Sequence, residues 1–311
     1  MLFGTLVDKK ELIIIFAFMK KISFIFLLFF SQVIFSQDLS QKVLQEYEDT
    51  LSTLAHTIMY GENETIRFEA NKGFVSELLE VLKYNNSYNY PFDSLKSISI
   101  LHPDDHSFRL FNWIIRKDDG EIKYHAYVVL PSVNEKKNII IQLQDNSDYQ
   151  LDFENQIFTQ DNWYGALYYK IISPKKKYNK FYTLLAWDGN SKKSVKKIIE
   201  ILEIKDREIY FGKNIFIKNN QKSNRVEIEY NSNTSVSVNY DESKNRIIFD
   251  HLVPLKENQE GFKAFYVPDG SYDCYQYKNG KWFFKEDIDV RSKIIFSKKS
   301  NSKEEKGLFR K

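Results

Sequence analysis

The sequence predicts an α+β protein, with an N-terminal helical hairpin followed by a mainly antiparallel β-sheet region. Three observations carry this expectation. Apolar residues recur at helical spacing through residues 38–84. After Pro91 their period changes to two. Asp-Gly and Asn-Gly pairs then separate the alternating segments, as turns between short strands do.

The first helix is expected over 38–60. Leu39, Val43, Tyr47, Leu51, Leu54 and Ile58 recur at spacings of 4, 4, 4, 3 and 4, one face of a 3.6-residue repeat. Gly61-Glu62-Asn63 ends it. A second helix is expected over 71–84, with Phe74, Leu78 and Leu82 on one stripe and Val75 and Leu79 beside it. Strands are expected at 97–101, 108–116, 123–130, 138–144, 163–172, 182–186, 225–230, 235–240 and 246–251, with turns at Asp119-Gly120, Asp188-Gly189, Asp269-Gly270 and Asn279-Gly280. The stretch 195–204 fits a helix through Val195, Ile198, Ile199 and Leu202, and a strand through Ile199 and Ile201. The run onward to Phe216 favours the strand.

The last hairpin can be read to its register. Asn279-Gly280 is a favoured type I′ pair. A two-residue turn there sets Lys278 opposite Lys281, Tyr277 opposite Trp282 and Tyr275 opposite Phe284. Residues two apart share a face, so Tyr275, Tyr277, Trp282 and Phe284 form one aromatic patch. An apolar face that size is normally covered and reads as core. Its rival role is an exposed platform for stacking sugars, which makes these four the candidate ligand-binding residues.

The chain has 311 residues, 42% hydrophobic and 16% aromatic, enough to bury a sizeable core. Residues 19–37, MKKISFIFLLFFSQVIFSQ, have the order of a secretory signal: Lys20 and Lys21, an apolar run over 22–30, then the small Ser36 before Gln37. Ile34 is larger than the residue usual three positions before a cut. The signal begins at Met19, so translation starts at Met1 or at Met19. An uncleaved anchor over 12–35 would hold Lys20 and Lys21 within the bilayer, at about 2.5–3.5 kcal/mol each. A cleaved signal leaves no stable membrane span. The chain carries a net +3; removing the +2 of residues 1–36 and the +5 of the tail 292–311 leaves a body of −4. A mildly acidic body with a short basic tail argues against a nucleic-acid partner. The single cysteine, Cys274, excludes an internal disulfide and cysteine-based metal or redox sites.

The polar loops offer little chemistry. AWDGNSKKS, residues 186–194, sets Asp188, Asn190 and Ser191 close together, but Lys192 and Lys193 intrude and the first glutamate is Glu200. A calcium loop needs alternating oxygen ligands and a closing glutamate, so a turn is expected. His102 and His106 in LHPDDH share the i, i+4 spacing of zinc ligands, yet Pro103 makes the segment a loop. No metal and no cofactor is expected. Asp250 and His251 are neighbours in FDHL and would point to opposite faces of a strand. Glu286, Asp287 and Asp289 follow the aromatic hairpin, with Asp273 near them if it forms. Paired carboxylates beside aromatic rings serve glycoside hydrolysis, but exposed acids at a strand end are common and need no function, which is the favoured reading.

FRLFNW, WYGALYYKI, YTLLAWDGN, IIFDHL and NGKWFFKEDIDVR together resemble a group of exported bacterial envelope proteins with no known activity. The resemblance covers most of the chain after the signal. It implies the periplasm, the cell envelope or secretion, and brings no catalytic residue with it. The expected organisation is an extension and signal peptide (1–36), a helical region (37–90), an antiparallel β region (95–291) and a basic tail (292–311). The expected function is a non-catalytic binding or structural module with an envelope glycan or protein as partner. The alternative is a carboxylate-dependent hydrolase of glycan or peptide, which would bring Asp250, Asp273, Asp287 or His251 together in one pocket with a shifted pKa.

Overall fold

A computed structural model describes residues 39–131, 137–147, 153–175 and 181–289. The signal segment and the basic tail lie outside these residues. Two helices near the N-terminus are followed by sheets that are antiparallel at every strand pair but one. The chain divides into two compact units that part between Asp145 and Asn146. The first four strands therefore belong to the same unit as the helices. Among the described residues no helix is long and apolar enough to cross a membrane.

In the first unit, α1 (Gln41–Tyr60) starts where the Ser40 hydroxyl accepts from the Val43 N–H. That satisfies one of the donors left open by the first helical turn. α2 (Glu64–Leu82) is longer than its apolar stripe, because Asn63 caps it at Ile66 N. The turn residue Asn63 is thus a helix cap, and the helix begins at Glu64, seven residues before the expected start. The first turns of α2 lack an apolar stripe because Arg67 takes the inward position. It donates to the carbonyls of Gly61 and Arg116 at 2.7 and 2.8 Å. Strands β1 (Ser99–Leu101), β2 (Arg109–Arg116), β3 (Ile122–Leu130) and β4 (Ile139–Leu143) pair in sequence order. Leu51, Phe74, Leu78 and Val81 from the helices share a core with Trp113 and Tyr127 of the sheet. Arg109 is buried without a carboxylate partner among the described residues; its guanidinium donates to the carbonyls of Ser87, Tyr88, Tyr90 and Pro91. Burial lowers its pKa to about 10.

The second unit holds two six-stranded sheets. One runs β5 (Phe158–Thr159), β9 (Glu208–Phe211), β8 (Ser194–Lys205), β7 (Phe181–Asp188) and β6 (Leu167–Ile172), with β12 (Arg225–Asn231) also on β8. Residues 194–205 are one strand throughout, as the run toward Phe216 suggested. β8 is shared along one edge: residues 194–200 pair with β12 and residues 202–205 with β9. Arg225, with no exposed side-chain surface, fills the fork. Its Nε lies 3.2 Å from Glu200 Oε2, and its other nitrogens donate to the carbonyls of Phe153, Gln156 and Phe211. Glu200 also accepts from Tyr168 Oη, which accepts from Trp163 Nε1 at 2.8 Å. Gly212 has φ +101, and a Cβ there would stand 2.8 Å from the Arg225 guanidinium. Only glycine fits that corner comfortably.

The other sheet runs β11 (Gln221–Ser223), β10 (Phe216–Lys218), β16 (Lys281–Lys285), β15 (Tyr266–Lys278), β14 (Arg246–Pro254) and β13 (Val238–Asp241). β10 and β16 are the single parallel pair among the described residues. The last hairpin has the expected register, with Tyr277 opposite Trp282 and Tyr275 opposite Phe284. Asn279 and Gly280 have φ +52 and +80, as a type I′ turn requires. Trp282 and Tyr275 are 1% and 4% exposed and join a core with Leu185, Ile199, Ile201 and Ile247. Tyr277 and Phe284 are half-buried against it.

Candidate functional site: a histidine–carboxylate pair in an aromatic pocket

The site is built by a fault in the pairing of β14 with β15. Ile247 faces Tyr275 and Phe249 faces Asp273, so side-chain alternation puts these four on one face. His251 continues that face along β14. The register then slips between the pairs Asp250–Tyr272 and Leu252–Pro268. His251 alone stands against Asp269, Gly270 and Ser271. Asp269-Gly270 is therefore a bulge inside β15, not the expected turn between strands. Gly270 supplies it with φ +93, a conformation that other residues rarely adopt.

Bulges re-aim side chains, and here His251 Nδ1 comes within 2.9 Å of Asp273 Oδ2. The His251 side chain is 36% exposed and that of Asp273 is 7% exposed. The other oxygen of Asp273 accepts from the Asp287 N–H at 3.2 Å, where the chain returns after β16. The hydrogen bond to Asp273 raises the His251 pKa above the ordinary imidazole value; burial opposes this, and the charges of Asp273, Asp269 and Glu286 add to it. With Nδ1 bound to Asp273, Nε2 has no hydrogen-bond partner among the described residues.

The pair opens into a pocket of about 190 Å³. Phe249, Tyr275 and Phe284 form its aromatic wall, with ring centroids 5.5 to 6.3 Å apart. Lys218 reaches in from β10, its ammonium 4.1 Å from the centre of the Phe284 ring. Tyr275 is nearly buried, yet its hydroxyl has no hydrogen-bond partner among the described residues. Burial raises the pKa of that phenol, so it remains a proton-bearing donor at neutral pH.

The carboxylates around the pocket all hold partners. Glu227 bridges Lys196 and Lys263 at 3.0 and 3.5 Å. Glu229 accepts weakly from Asn190 at 3.4 Å. Asp250 turns to the other side and accepts from the N–H and hydroxyl of Ser237. FDHL thus splits as alternation required: Asp250 secures a neighbouring segment, and the acid behind His251 is Asp273 from the next strand. Finding that pair from sequence needed the bulge.

Of the four aromatic candidates, Tyr275 and Phe284 line this pocket. Tyr277 and Trp282 line a separate cleft of about 10 Å³, room for no more than a water molecule. The other polar loops are structural. Asp188 accepts from Tyr164 Oη and from the Asn190 N–H, so AWDGNSKKS is the turn between β7 and β8. The rings of His102 and His106 stack 4.4 Å apart in the loop between β1 and β2. Among the described residues no three His, Cys, Asp or Glu are placed to hold a metal ion. Cys274 is buried.

Comparison with family models, with curated proteins and with solved structures finds no match. The class of the molecule rests on its own architecture: an α+β protein whose second unit carries an aromatic-walled pocket with a histidine–aspartate pair.

Proposed function

We propose that this is an exported envelope protein whose second unit is a binding module for a single small unit of an envelope glycan. The observation that carries the reading is the pocket itself. At about 190 Å³ it is smaller than the ~300–1,000 Å³ typical of sites for drug-sized ligands. One sugar ring suits it. Aromatic rings offer such a ligand an apolar face, and Tyr275 Oη and His251 Nε2 offer its hydroxyls unspent hydrogen-bonding capacity. A hydrolase working through two carboxylates finds less support, because Asp250, Asp273, Glu227 and Glu229 are each already engaged.

Two measurements bear on this. Calorimetric titration of the protein with glucose and with N-acetylglucosamine should show saturable binding. Tyr275→Phe should weaken it about tenfold, the scale of one lost hydrogen bond. Equal affinity in wild type and variant would remove the pocket from the reading. The export half rests on the signal pattern at residues 19–37. N-terminal sequencing of native protein should begin at or near Gln37, and an intact Met1 or Met19 would defeat it.

A further inference from the structure

We propose that the His251–Asp273 pair makes this pocket an esterase site, removing acyl groups from the sugar unit it holds. This step rests on the glycan-binding reading and adds a reaction to it. The geometry supplies two groups that hydrolysis of an ester by water requires. His251 is held at Nδ1 by a nearly buried carboxylate at 2.9 Å. That fixes which ring nitrogen faces outward, the arrangement that orients a general base. Tyr275 lines the same pocket, and its hydroxyl has no hydrogen-bond partner among the described residues. Among the described residues no serine, threonine or cysteine lines the pocket, so the base would act on water and not on a side-chain nucleophile.

The step balances without a metal or a redox partner. Neutral His251 Nε2 takes a proton from water as the water oxygen bonds to the ester carbonyl carbon. The carbonyl oxygen becomes an oxyanion and is stabilised by the Tyr275 hydroxyl, with the Lys218 ammonium adding positive charge in the same pocket. The bond from that carbon to the sugar oxygen then breaks. The departing alkoxide takes the proton back from His251 Nε2. One ester and one water give one carboxylic acid and one alcohol. An ester suits this equipment better than a glycosidic bond, which needs a free acid as well as a free carboxylate.

His251 is the base only when it is neutral, so the rate should rise with pH and level off once the ring has lost its proton. Asp273 and Asp269 on β15 and Glu286 after β16 are the acids whose charge acts on His251, whereas Asp250, its neighbour on β14, turns away to Ser237. Glu227 and Glu229 of β12 line the same pocket with Lys218 and Lys263. Asp273 raises the point of half-maximal rate above the ordinary imidazole range near 6.5.

The test uses p-nitrophenyl acetate and fully acetylated glucose, with free glucose titrated calorimetrically in parallel. Wild type should hydrolyse both esters about 10²-fold faster than His251→Asn, the lower end of what a positioned base contributes. Asp273→Asn should move the half-maximal rate to lower pH, and Tyr275→Phe should lower kcat; both serve if His251→Asn misfolds. Hydrolysis equal in wild type and His251→Asn, or an unmoved pH midpoint in Asp273→Asn, overturns the proposal. Glucose binding without ester cleavage overturns it while leaving the binding module standing. Absence of both defeats the two readings together.

Discussion

Replacing Trp282 with alanine is expected to destabilise the protein by about 3–5 kcal/mol, the range for removing a large aromatic ring from a core. The indole is 1% exposed and sits where the two sheets of the second unit face each other. Its Nε1 donates to Thr183 Oγ1 at 3.2 Å, and Tyr277 packs on its ring at 4.8 Å. The neighbouring cleft, about 10 Å³, gives the surroundings little slack to absorb the loss. Urea denaturation of wild type and variant measures the difference. A cost below about 1 kcal/mol, the scale of ordinary surface changes, would contradict this packing and restore the aromatic face as a binding platform.

The second large effect is expected at the fork in β8. Arg225→Met keeps most of the side-chain volume and removes the charge. It leaves Glu200, 2% exposed, with Tyr168 alone for a partner, and frees the carbonyls of Phe153, Gln156 and Phe211, the last of them buried. Breaking a buried pair in this way costs about 3–5 kcal/mol. Burial already raises the Glu200 pKa; Arg225 and Tyr168 hold it down. Without the arginine it rises further, above its value in the unfolded chain. A group with a raised folded pKa contributes stability below its unfolded pKa and loses it as pH rises through the folded one. The deficit of Arg225→Met should therefore shrink in acid, and adding Glu200→Gln should recover part of it at neutral pH. Denaturation curves at acidic and neutral pH test this; a deficit independent of pH would sink the account.

Much of the fold was legible because its signals are local. Asn279-Gly280 dictates a turn with two positive φ values, and the register of the hairpin follows by counting. Residues 194–205 fit either period on their own, and the run onward to Phe216 tips them to the strand they form. What stayed hidden depends on partners distant in sequence. Arg225 lies in the alternating RVEIEY and Glu200 in the alternating KKIIEILEIK, and either charge looks solvated until β12 is laid on β8. Asp206-Arg207 and Asn219-Asn220 turn the chain with positive φ throughout, without the glycine that marks such turns. At the candidate site, His251 and Asp273 were each visible as polar residues near aromatics. Their meeting enters only as the mark of the hydrolase alternative, since Asp269-Gly270 reads as a turn and the bulge that joins the pair depends on the pairing of β14 with β15.

The placement of β16 between β15 and β10 also bears on the order of folding. A chain made from its N-terminus has β10 early and β16 only as the end of this unit emerges. Until then β10 has β11 alone beside it, and the site of Trp282 is empty. Closing that sheet is a contact between segments far apart in sequence, the kind that forms slowly and exposes strand edges meanwhile. If the chain is exported as an unfolded thread, the second unit completes itself only after its last hairpin has crossed. A nascent or truncated chain lacking Lys281–Lys285 would carry an open β10 edge and half a core, making it a substrate for chaperones and proteases, not a smaller working protein.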